Sequence, residues 1–176
     1  MQARDAKSPE DFVTWAHEAT HFVNSRLSTV KSRGFYTLNG VGWQVPLTKK
    51  TTLSQVAAAI PAKMRGRTFK TYLLDSRRDW EEYPLYLMDE WCAYQNGSMV
   101  RRELGWAKRR ETEEFMAELA IYSSYMVEVV ARQEPDYPHD ELRSFRQFLL
   151  ERSRLIATNF DALPLVADCA LLGGGE

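Results

Sequence analysis

Thr14-Trp15-Ala16-His17-Glu18-Ala19-Thr20-His21-Phe22 is the stretch on which the reading of this chain turns. It contains His-Glu-x-x-His inside a segment with helical patterning. On an α-helix, residues four apart lie one above the other on the same face. His17 and His21 can therefore offer two imidazole nitrogens to one metal ion. Glu18, beside them, is placed to act as a general base on water at that metal. The chain has only 3 histidines, and two of them fall in this motif. The bland alternative is a helix with one buried and one surface histidine.

The residues around the motif supply a helix start. Ser8 can cap, Pro9 suits the first helical position, and Glu10 and Asp11 favour the positive end of the helix dipole. The spacing predicts a helix to about Arg26, burying Phe12, Trp15, Ala16, Ala19, Phe22 and Val23. Downstream, Asn39-Gly40 between aromatic and β-branched residues predicts a hairpin over 34–46. A short helix is expected over 52–60, capped by Thr52 or Ser54 and ended near Pro61. A third strand is expected over 68–74.

From Pro84 the chain reads as helix, with Gly97 expected to bend or end it. Two further helices are predicted over 112–132 and 139–158, carrying apolar residues at helical spacing. In the first these are Phe115, Leu119, Tyr122, Met126 and Val130; in the second, Leu142, Phe145, Leu149 and Ile156. These stripes are read as core. Asn96-Gly97-Ser98 matches a glycosylation sequon, but its place in the helix favours a bend or end over a glycan site. The tail, 171–176, looks frayed or truncated. The expected class is α+β, mostly α-helical. One domain spans 1–176, with a metal-site core over 8–105 and C-terminal helices over 108–160.

Bulk properties exclude several functions. The chain has 176 residues and a net charge of −1, so nothing suggests a nucleic-acid partner. Arg101-Arg102 and Lys108-Arg109-Arg110 are basic, but Glu111-Thr112-Glu113-Glu114 follows directly. That pattern reads as a solvated corner between helices. No run is long and apolar enough to span a membrane, and the polar N-terminus is no signal peptide. Cys92 and Cys169 form no disulfide framework and no zinc knuckle; two buried thiols are the simpler reading.

A catalytic zinc usually takes three protein ligands and leaves a position for water. The third candidate is Glu90, in Tyr86-Leu87-Met88-Asp89-Glu90-Trp91-Cys92-Ala93-Tyr94. A buried carboxylate there needs a cation or hydrogen bonds, and Tyr86, Glu90 and Tyr94 share one helical face. Ala93 is small enough to let the motif helix pack close. The alternative is a surface Glu90, with His139 next in line as ligand. Asp89 or Asn24 could orient a ligand imidazole. Tyr83, Tyr86 and Tyr94 are candidates to donate to a developing oxyanion, with Tyr83 preferred because it stands at the start of the helix.

With these residues in place, the chain resembles the gluzincin branch of the zincin metallopeptidases. That family has a His-Glu-x-x-His helix and a second helix whose glutamate is the third zinc ligand. The second helix often reads Glu-x-x-Ala followed by an aromatic, as Glu90-Trp91-Cys92-Ala93-Tyr94 does here. The resemblance covers the two helices. It implies His17, His21 and Glu90 as Zn2+ ligands and Glu18 as general base of a peptidase, with a peptide or protein substrate. By analogy alone it favours a secreted or cell-envelope location. Two features depart from the family. About seventy residues separate His21 from Glu90, and only sixteen precede His17, where zincins place a substrate-binding sheet. The sheet is then expected from the hairpin and strand after the motif, or that half is reduced. The alternatives are a zinc hydrolase of a non-peptide substrate and a binding or structural protein that keeps the fold.

Overall fold

The computed structural model describes residues 8–106 and 110–156. It is mostly helical, with one small antiparallel sheet of two strands. Helix α1, Pro9–Leu27, starts at a capping box: the Ser8 hydroxyl accepts the Asp11 N–H, and the Asp11 carboxylate accepts the Ser8 N–H. Strands β1, Ser32–Thr37, and β2, Val41–Pro46, follow as the expected hairpin. They pair Thr37 with Val41 across the three-residue loop Leu38-Asn39-Gly40. Gly40 takes φ +82°, which closes such a loop without a Cβ clash.

Helix α2, Leu53–Ala59, is capped by Thr52 and not Ser54, again with a reciprocal box, here to Gln55. The expected third strand is absent. Residues Lys70–Asp75 form a π-helical segment. The apolar positions Phe69, Tyr72 and Leu73 are spaced three and four apart, which is a helical period, and Phe69 and Leu73 are buried by it. The Glu118 carboxylate fixes the start of this region, accepting the N–H groups of Arg67 and Thr68 at 3.1 and 2.8 Å. A short helix α3, Arg77–Trp80, leads to α4, Tyr86–Glu103. Helices α5, Arg110–Gln133, and α6, His139–Ile156, complete the described fold. The expected end of α6 at 158, Cys169 and the tail lie outside the described residues.

Helix α4 does not end at Gly97; it runs on to Glu103. Gly97 serves a different purpose. A Cβ there would meet the Val13 carbonyl oxygen at 3.3 Å and Val13 Cγ1 at 3.4 Å. The glycine lets α1 and α4 approach closely along the stretch that carries the motif. Asn96 is buried beside it. Its amide donates to Thr20 Oγ1 and the Tyr36 carbonyl and accepts the Leu38 N–H, so it joins α1, α4 and the hairpin. A buried asparagine with these bonds is not a glycan site.

The hairpin lies between two helical layers. Strand β1 packs on α1 and α4, and β2 on α6. Phe35 and Val45 are fully buried, and Trp43 stacks on Phe145. Most of the expected stripes of α5 and α6 are core: Leu119, Tyr122, Met126, Val130, Leu142, Phe145 and Leu149 are buried, whereas Phe115 is half-buried. Helix α1 departs from expectation. Phe12 and Phe22 are 41 % and 66 % exposed. Ala16 is buried as expected, but the inward face is completed by Thr20 and Asn24, because α4 presents Asp89 and Asn96, which polar partners satisfy.

Candidate metal centre

The contact between α1 and α4 brings three ligand-type side chains together. His17, His21 and Glu90 each offer one atom to a cluster whose members all lie within 4.8 Å of one another. The two Nε2 atoms are 3.2 Å apart. Glu90 places its oxygens 3.7 Å from His17 Nε2 and 3.8 Å from His21 Nε2. Zinc–nitrogen bonds of about 2.0–2.1 Å at tetrahedral angles separate neighbouring ligand atoms by about 3.3 Å. The two Nε2 atoms meet that spacing, and the Glu90 oxygens stand from a few tenths of an ångström to about 1.5 Å beyond it, so side-chain adjustment would bring the three ligands onto one tetrahedral ion. All three side chains are partly exposed, so a fourth position can open to solvent.

Asp89 and Asn24 act in series behind His21. His21 Nδ1 lies 2.7 Å from Asp89 Oδ2. A carboxylate only accepts, so Nδ1 carries the proton and Nε2 keeps its lone pair for the cluster. The other oxygen, Oδ1, accepts the Asn24 amide at 2.6 Å, and Asn24 Oδ1 accepts the Tyr36 N–H at 2.8 Å. The line from β1 to the imidazole is thus continuous. Arg33 adds a positive charge 3.9 Å from Asp89 Oδ2.

The three groups perturb one another's ionisation. Burial and the neighbouring His21 lower the pKa of His17. For His21, burial is outweighed by the Asp89 hydrogen bond and by the charges of Asp89, Glu90 and Glu18, so its pKa rises. Burial pushes Glu90 up to about 7, with Asp89 and Glu18 adding to the rise and His21 opposing it. Two imidazole lone pairs 3.2 Å apart repel unless a proton or a metal ion stands between them.

Glu18 is exposed on α1, close enough for its charge to act on His17, His21, Glu90 and Tyr94. The tyrosines divide differently from the expectation. Tyr94 packs edge-on to the His17 ring with centroids 4.8 Å apart, and its hydroxyl lies 2.6 Å from that of Tyr72. Tyr86 is turned away, its hydroxyl donating to the Tyr72 carbonyl. Tyr83 is 55 % exposed and lines a small pocket with Trp80, Leu85 and Arg33 rather than the histidine pair. Sequence reasoning misses Tyr72 because it reads 68–74 as a strand; the helical spacing of Tyr72 from Phe69 is the available signal. His139 begins α6 against the Tyr137 ring and is not in the cluster.

Compared with known proteins, the chain matches no family model, no curated sequence and no solved structure. No helix among the described residues is long and apolar enough to cross a membrane.

Proposed function

We propose that this chain is a zinc-dependent hydrolase, and within that class a metallopeptidase of gluzincin type. One observation carries the reading. The His17 and His21 Nε2 atoms lie 3.2 Å apart, each within 3.8 Å of a Glu90 oxygen, and Asp89 holds the His21 tautomer that leaves its Nε2 free. A half-buried carboxylate beside two imidazoles is a favourable place for a cation. Glu18 supports the catalytic half of the reading, since a purely structural metal requires no adjacent carboxylate.

When bound, zinc supplies a Lewis acid and lowers the pKa of water to about 7. The residues do the rest. His17, His21 and Glu90 would hold the ion. Glu18 accepts a proton from the attacking water on its carboxylate and returns it to the leaving amine. The Tyr94 hydroxyl, paired with that of Tyr72, would donate to the negative charge that develops on the carbonyl oxygen.

The test is metal content of purified protein, in wild type and in Glu90→Ala, followed by peptide hydrolysis by Glu18→Gln. We expect about one zinc per chain in wild type, lost on Glu90→Ala. Glu18→Gln should keep zinc and lose at least 100-fold in turnover. Peptide cleavage unchanged by Glu18→Gln would overturn the peptidase mechanism. Absence of specific metal after zinc is added back would overturn the hydrolase reading.

A further inference from the structure

Helix α1 carries an apolar seam that the described core does not use. Phe12, Trp15, Ala19, Phe22 and Arg26 recur at steps of three, four, three and four residues. That is the a/d spacing of a coiled-coil heptad, and it lines one side of a helix. Phe12, Phe22 and Arg26 are exposed, and Trp15 and Ala19 are half-buried. Arg26 lies over the Phe22 ring, 5.7 Å from its centroid, and continues the seam as a cationic end. Helix α1 packs on α4 and β1. Neither the buried core nor the half-buried side chains packed against it include any of the five. Single apolar residues on a surface are ordinary, but three aromatics in register along one helix side mark an interaction surface.

The seam is complementary to itself. A two-fold axis level with residue 17 sets Phe12 opposite Phe22 of a second copy and Trp15 opposite the second copy's Ala19, each contact made twice. Ring meets ring, and the largest side chain of the seam meets the smallest, so the two layers can interdigitate. The charges agree with an antiparallel pair. The first turn of α1 holds Glu10 and Asp11, and the last turn holds Arg26. Antiparallel helices bring Arg26 to the acidic first turn of the second copy and oppose the two helix dipoles. Parallel helices would set acid against acid.

We propose that this seam pairs α1 with the α1 of a second copy of the chain, antiparallel, to form a two-fold dimer. The pairing leaves the metal centre uncovered. With 3.6 residues per turn, His17 and His21 lie roughly 140–180° round the helix from the middle of the seam. Residues 12–26 span only about 21 Å, so the interface is small and the dimer is weak, with a dissociation constant on the order of 10 µM. Glu18 flanks the seam close to the axis in both copies, and that like-charge contact also holds the affinity down.

The experiment is sedimentation velocity of the full chain from about 1 to about 300 µM, a range that brackets the expected constant. It reads association independently of metal or turnover. Wild type should pass reversibly from monomer to dimer. Phe22→Glu should stay monomeric throughout. Ala19→Trp fills the slot that the opposing Trp15 needs, so it should also stay monomeric although it adds apolar surface. Arg26→Glu should weaken the dimer at least tenfold. Far-UV circular dichroism at the lowest concentration should match wild type in all three. A wild type that is monomeric over the whole range overturns the proposal. So does a dimer undiminished in Phe22→Glu, or one tightened by Ala19→Trp, which would mean unspecific apolar contact. A monomer that binds phosphatidylcholine vesicles, and loses that binding in Phe22→Glu, would give the face to a lipid surface and overturn the pairing as well.

Discussion

His21 Nδ1 and Asp89 Oδ2 are 2.7 Å apart, and this bond joins the two helices at the point where the cluster forms. It fixes which ring nitrogen of His21 has a free lone pair. Asp89 is itself held by Asn24, so the imidazole is oriented before any ion arrives. Outer carboxylates of this kind commonly change metal affinity by about 10–100-fold when mutated. We expect Asp89→Ala to weaken zinc binding by a factor in that range, read by competition with a chelating dye. Asn24→Ala should show a smaller loss in the same direction. Unchanged affinity in Asp89→Ala would show that His21 needs no such support.

The tyrosines give a second comparison. Tyr94 touches His17, whereas Tyr83 stands exposed at another pocket. Tyr94→Phe should lower kcat by about 10–1000-fold with zinc retained and KM little changed, as for removal of an oxyanion donor. Tyr83→Phe should leave kcat near wild type. The reverse ranking would return the role to the tyrosine that spacing alone favours.

Gly97 tests whether the close approach of α1 and α4 matters. Alanine gains about 1 kcal/mol of helix propensity over glycine, but its Cβ would sit 3.3 Å from the Val13 carbonyl. These effects nearly cancel, so Gly97→Ala should shift stability little. Gly97→Val adds branches where no space remains and should destabilise by about 1–3 kcal/mol in chemical denaturation. It should also weaken zinc binding, because Val13 and His17 are on the same helix. A neutral Gly97→Val would show that the helices can separate freely.

Glu134 governs acid stability. Burial opposes its charge, yet the N–H groups of Lys49, Lys50 and Thr51 and the Thr51 hydroxyl hold its pKa below 4.5. Its unfolded value is higher, so the unfolded chain binds the proton first. The stabilisation is present above about 4.5 and is lost as pH falls through the folded pKa. Glu134→Gln should therefore be less stable than wild type at pH 7, and the gap should shrink below about 4.5. A gap that stays constant down to pH 2 would mean that Glu134 carries no charge-dependent share of stability.

Much of the architecture is legible in the chain because it is encoded locally. Ser8 with Asp11, and Thr52 with Gln55, announce helix starts through side chains that bond their own backbone a turn away. Asn39-Gly40 marks the hairpin through the positive φ that Gly40 adopts. The periodic apolar faces of α5 and α6 are read correctly for the same reason. The histidine pair is also local, since helix geometry alone stacks residues four apart.

Features that depend on what lies opposite could not be read this way. Spacing cannot say that α1 turns Thr20 and Asn24 inward and leaves Phe22 exposed; the polar surface of α4 decides that. Gly97 reads as a helix breaker until Val13 is found against it. Phe69, Tyr72 and Leu73 fit a short strand or a helix, and packing selected the π-helical turn that brings Tyr72 to Tyr94. The direction of Glu90 is likewise nonlocal. Sequence narrows a residue to a helix face, but its distance from His17 and His21, 73 and 69 positions away by number, depends on how two helices dock. That docking is set by a glycine, an alanine and a buried Asn24–Asp89 bond, which have meaning only as a pair of surfaces.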